Sequence, residues 1–146
     1  MKAYITKKIV VIFCSILLAW FFLDMTGLYF KNSYLVSQSF KDDWIFMAIY
    51  LIVFIFFIIK DKIGKYILDG WLALWFLTQF YFHWFFTITG KGLDKIEYFK
   101  DSIKIIECET RYVPDLYHVI LHILILIAFI FINIYIFKSK TKKESV

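Results

Sequence analysis

The chain predicts an all-α integral membrane protein: a single domain built as a bundle of four transmembrane helices. Three observations carry this. Of its 146 residues, 62% are hydrophobic and 23% aromatic, which is too apolar for a soluble domain of this size. Four apolar stretches, about 9–30, 42–59, 66–89 and 113–137, are separated by short charged segments. The lysines in those segments fall mostly on alternate connections, as an oriented membrane protein requires.

The first stretch follows Lys7 and Lys8 and imitates a signal peptide. It lacks a small-x-small cleavage site, since Leu18, Ala19, Trp20 and Phe21 follow one another, so a retained helix is expected. A bilayer core of about 30 Å needs about 20 helical residues. The first, third and fourth stretches meet this length directly, and the second does so with Asp42 and Asp43 at the head groups. That second stretch offers only Tyr50 as a mid-span polar group, so it reads as lipid-facing support. The segment from Lys91 to Arg111 repeats Leu93, Ile96, Phe99, Ile103 and Ile106 at three or four residues. This spacing predicts a short amphipathic helix lying on the interface in the second outer loop.

Orientation follows from the basic residues. Lys2, Lys7 and Lys8, then Lys60, Lys62 and Lys65, then Lys138, Lys140, Lys142 and Lys143 share one side of a four-span protein, and they are ten of the 17 Lys and Arg. Both termini are therefore expected in the cytoplasm, in a plasma membrane that the lysine-over-arginine, Ile- and Phe-rich composition marks as prokaryotic. The basic net charge is an orientation signal, so no nucleic-acid partner is expected. Trp44, Trp71 and Trp84 lie where interface anchors belong. Cys14 and Cys108 are too few for a disulfide framework, and Glu107 and Glu109 are expected to raise the thiol pKa of Cys108.

Polar residues fall on stripes. On the third helix Asp69, Gln79, His83, Thr87 and Gly90 lie within an arc of about 80° at 100° per residue. On the fourth, Asp115, His118, His122 and Asn133 share one line. Lipid cannot satisfy such groups, so they face the bundle interior or a wet cavity. Asp24 on the first helix is expected at a similar depth, which lets Asp24, His83, His118 and His122 converge near the outer leaflet.

Three imidazoles and a carboxylate match a zinc-like divalent metal, with Gln79, Thr87, Asp115 and Trp84 as supporting or pocket residues and Gln79 orienting His83. Asp115 also suits the start of the fourth helix, where a carboxylate meets the positive end of the dipole. Haem b between two histidines is a second cofactor reading, and no cofactor at all is a third. No HExxH or CxxCH motif is present to choose among them. The functional expectation is a pocket that binds or acts on a lipid-like ligand among membrane lipids. The alternative is a non-catalytic accessory subunit whose stripes only pair helices, with a membrane-protein partner or a second copy of the chain. A redox or proton-relay role is the third class.

Overall fold

The computed structural model describes the backbone of residues 5–144 and the side chains of residues 5–139. Lys2, Lys140, Lys142 and Lys143, which contribute to the expected orientation, lie outside the described side chains. The chain is mostly helical. It runs through α1 (Lys7–Thr26), a hairpin of β1 (Leu28–Phe30) and β2 (Ser33–Val36), then α2 (Phe40–Ile59) and α3 (Asp61–Gln79). A π-helical segment (Phe80–Phe85), α4 (Phe86–Thr89), α5 (Asp94–Tyr98) and α6 (Leu116–Glu144) follow. By length and composition α1, α2 and the 116–139 part of α6 can each cross a membrane. The α3 helix carries Asp61, Lys62, Lys65 and Asp69 in its first half and is less apolar.

Helix α1 packs on α2 and α6, and α3 packs on the same two helices, so the four enclose one core. Trp75 sits at its centre, wholly buried, with ring centroids 4.7 Å from Phe21 and 5.2 Å from Tyr50. The Tyr50 hydroxyl donates to the Cys14 carbonyl at 2.8 Å. Phe57, Leu121, Ile125 and Ala128 extend the core along the bundle. The α2 helix is thus no mere lipid-facing support: Met47, Tyr50, Val53, Phe54 and Phe57 are buried by its neighbours. The outward faces are apolar as well, with Ile52, Ile59, Leu77 and Ile123 exposed. An apolar exterior around buried polar groups inverts the pattern of a water-soluble protein.

At one end the start of α1, the α2–α3 turn and the end of α6 are tied together. Lys7 Nζ donates to the Ile58 carbonyl and pairs with Asp61, the Tyr135 hydroxyl donates to the same carboxylate, and Lys65 Nζ donates to Ser139. The described clustered lysines, from Lys7 to Lys138, gather at this lysine end. Here α2 and α3 also approach closely, at Gly64. A Cβ on Gly64 would stand 2.6 Å from Phe57 Cα and 2.8 Å from its backbone nitrogen.

The opposite, hairpin end departs from the sequence expectations in four ways. Helix α1 stops at Thr26 rather than near 30, because Gly27 adopts φ +72° and turns the chain into β1. The segment between α1 and α2 is therefore an antiparallel hairpin. The amphipathic helix of the second long loop is confined to α5, five residues long. Beyond Tyr98 the backbone bonds elsewhere: Tyr34 N–H donates to the Asp101 carbonyl, Ile103 N–H to Tyr34, and Leu116 N–H to Ile103. Those bonds pin the loop across the bundle and deny it helical hydrogen bonds. Finally, α6 begins at Leu116 rather than 113, after Pro114 and the capping residue Asp115.

Candidate functional site

A cavity of about 340 Å³ opens at the hairpin end, between the N-terminal turn of α2, the junction of α3 with the π segment, and α5. Four carboxylates line it: Asp24 from the last turn of α1, Asp42 and Asp43 from the first turn of α2, and Asp115 at the start of α6. His83, His118, Gln79 and Lys95 join them, and Phe46, Phe82, Tyr98 and Phe99 form apolar walls. Phe82 and Tyr98 are about half exposed, so the mouth of the cavity carries aromatic rings.

Local structure explains how His83 reaches this space. It lies inside the six-residue π segment, and π turns insert an extra residue and recur at functional sites. His83 is 6% exposed, and its Nδ1 lies 2.6 Å from the Tyr112 hydroxyl. Burial raises the phenol pKa of Tyr112, so that hydroxyl stays protonated. Tyr112, not Gln79, is the orienting partner of His83. The Gln79 Oε1 is buried without a partner, and Thr87 donates to the His83 carbonyl of its own helix at 3.1 Å.

Asp115 combines both roles the sequence allows it. Its Oδ1 accepts from the His118 backbone N–H at 3.0 Å and lies 2.8 Å from His118 Nδ1. The first bond caps α6. The second places the proton on Nδ1 of neutral His118, because a carboxylate only accepts. His118 Nε2 is then left with a lone pair, the arrangement of a base held by a carboxylate. His122 Nδ1 donates to the His118 carbonyl, and its ring also approaches the Gln79 carbonyl, with Nε2 buried.

The three histidines do come together, though unequally. The rings of His83 and His118 meet with centroids 4.1 Å apart and a tilt of 31°, and that of His83 lies 5.6 Å from His122. His118 and His83 line the cavity with Asp24, whereas His122 stands behind it, against the rings of Phe76 and Trp84. Among the described residues no three His, Cys, Asp or Glu groups are placed to hold a metal ion. Trp84 and Thr87 are not cavity residues.

Sequence reasoning missed Asp43, Asp42, Tyr34 and Lys95. Asp43 is the most consequential, because its carboxyl faces that of Asp24, which Ser39 also contacts. In sequence the two aspartates resemble ordinary first-turn charges on α2. Their placement at the same end as Asp24 was the available signal. Lys95 lays its ammonium over the rings of Phe86, Tyr112 and Phe82 at 5.0–5.7 Å, and burial lowers its pKa.

Cys108 corrects another expectation. Its pKa is lowered, not raised, because Thr110 and then Arg111 contact the sulfur and outweigh the neighbouring glutamates. Alkylation by iodoacetamide should therefore show a pH–rate midpoint below that of a free thiol. Thr110→Val should move the midpoint upward, and an unmoved midpoint would remove Thr110 as the cause.

Comparison with models of known families, with curated proteins and with solved structures finds no match to this chain.

Proposed function

We propose that the chain is a four-span protein of the prokaryotic plasma membrane, with both ends cytoplasmic, and that its hairpin-end cavity binds the polar head of a lipid-like molecule. The fourth span is the continuous helix from Asp61 to Thr89. Backbone angles at Gln79, Phe80, Phe85 and Phe86 all stay right-handed helical, so α3, the π segment and α4 form one rod. At about 1.5 Å per residue its 29 residues reach about 40 Å, enough to span. Its lysine-bearing turns then lie at the inner head groups, where the charges of Lys62 and Lys65 belong.

The observation that carries the reading is a polar cavity with aromatic rings at its mouth in a bundle whose helix faces are largely apolar. A ligand whose tail stays in lipid and whose head enters between α2 and the 61–89 helix satisfies both surfaces. His118, held by Asp115, supplies a proton acceptor inside. A metal ion is not the proposed occupant, since no three ligating side chains among the described residues are placed to hold one.

The test is photolabelling of the full chain in lipid nanodiscs by an alkyl amphiphile with a diazirine beside its head group. Labels should concentrate on the peptides containing Asp43 to Phe46 and Thr78 to Phe82. Thr78→Phe, which fills the cavity wall, should remove most of that labelling. Uniform labelling of the exterior, indifferent to Thr78→Phe, would refute the reading.

One observation favours a second reading, an accessory subunit whose stripes pair helices. Asn133 Nδ2 donates to Asp69 Oδ1 at 2.7 Å, tying α6 to α3. Such interhelical bonds are worth about 0.6 kcal/mol each in membranes. This accounts for the lysine-end half of the stripes and gives the cavity no role.

A further inference from the structure

We propose that the ligand of this cavity is cationic: an amphiphile with a primary ammonium head group, received by the paired carboxyls of Asp24 and Asp43. The proposal rests on the lateral-pocket reading and adds the chemical class of the ligand.

Asp24 is 5% exposed, and its carboxyl meets that of Asp43, yet among the described residues Asp24, Asp42 and Asp43 form no ion pair. Buried carboxylates are ordinarily paired with a cation, because an uncompensated buried charge is costly. Asp115 is instead satisfied by the backbone and ring N–H groups of His118. Lys95, which also lines the cavity, spends its charge over aromatic rings instead. Two carboxyls sharing one proton would satisfy each other, but a third group would still lack a partner. Gln79 lines the cavity, and its side-chain oxygen is buried without a partner.

An ammonium group supplies what these residues lack. It offers three N–H donors to acceptor-only carboxylates and to an amide oxygen. The rings of Phe46, Phe82 and Tyr98 in the cavity wall suit a cation as well. A volume of about 340 Å³ accommodates a head group with its first carbons. The tail then follows the apolar faces of α2 and the 61–89 helix into lipid.

The experiment is calorimetric titration of the full chain, in phosphatidylcholine nanodiscs, with dodecylamine, dodecanol and lauric acid. These share a chain and differ in head-group charge. Dodecylamine should saturate one site per chain and bind at least about tenfold more tightly than either control, the scale of one charge-assisted hydrogen bond. Asp24→Asn and Asp43→Asn should each abolish that preference while the unfolding midpoint is kept or raised. Asp43 is only half-buried, so its variant carries the test if Asp24→Asn fails to fold.

Equal saturable binding of all three probes would overturn the amine assignment and leave the lateral pocket standing. No saturable binding of any probe would overturn both. A dodecylamine preference that survives both substitutions would show that the charge is read elsewhere and would also overturn the assignment.

Discussion

An Asp115→Ala protein is expected to lose about 2–4 kcal/mol of stability, through a lost helix cap and a ring N–H left without its acceptor. The carboxylate is 2% exposed and serves both His118 groups. A cap alone is worth about 0.5–2 kcal/mol, and an orphaned buried donor about 1–3. Asp115→Asn separates the two effects. Its side-chain oxygen still caps α6, but the amide no longer fixes the His118 tautomer as a carboxylate does. Imidazole ¹⁵N shifts should report His118 protonated on Nδ1 in the native protein and as a tautomer mixture in Asp115→Asn. A native spectrum with the proton on Nε2 would dismiss His118 as a carboxylate-held base.

The second large effect concerns two glycines six residues apart on α3. Alanine at Gly70 meets nothing within 4 Å, so Gly70→Ala should be neutral or stabilising by up to about 1 kcal/mol, the helix-propensity difference. Gly64→Ala gains the same propensity but drives a methyl into the backbone of Phe57, which cannot yield as a flexible side chain would. Overpacking costs about 1–3 kcal/mol and sometimes more, so the clash outweighs the propensity and the sign reverses. Thermal unfolding of the two variants in detergent decides it. If Gly64→Ala were as stable as Gly70→Ala, α2 and α3 would not be in close contact at Gly64.

Helix positions were legible in the sequence because an apolar run of bilayer length has little else to form in a lipid environment. Helix ends were less so. Gly27 was visible, but nothing local distinguishes a helix that continues to Phe30 from one that turns into a hairpin there. The hairpin forms because residues 34, 101 and 103, distant in sequence, exchange backbone bonds. The polar stripes assume a constant 100° per residue, and the π segment breaks that constancy at His83. This is why Thr87, in phase by arithmetic, serves only its own helix, while Tyr112 from the loop reaches His83. Asp24, His83, His118, Asp115 and Gln79 were legible as one group, since buried charge in an apolar chain is conspicuous. Asp43 was not, because an acidic residue in a first turn already has an ordinary role against the helix dipole.

The bonds at the lysine end set the mechanics of the whole bundle. Lys7, Asp61, Tyr135, Lys65 and Ser139 fasten three of its corners, and the close approach at Gly64 fastens α2 to α3. The cavity end is joined instead by loop backbone and single side-chain contacts. Four rods clamped at one end and laced at the other behave as tweezers. Any parting of α2 from the 61–89 helix pivots at the lysine-end grip and widens toward the tips, where the carboxylates are.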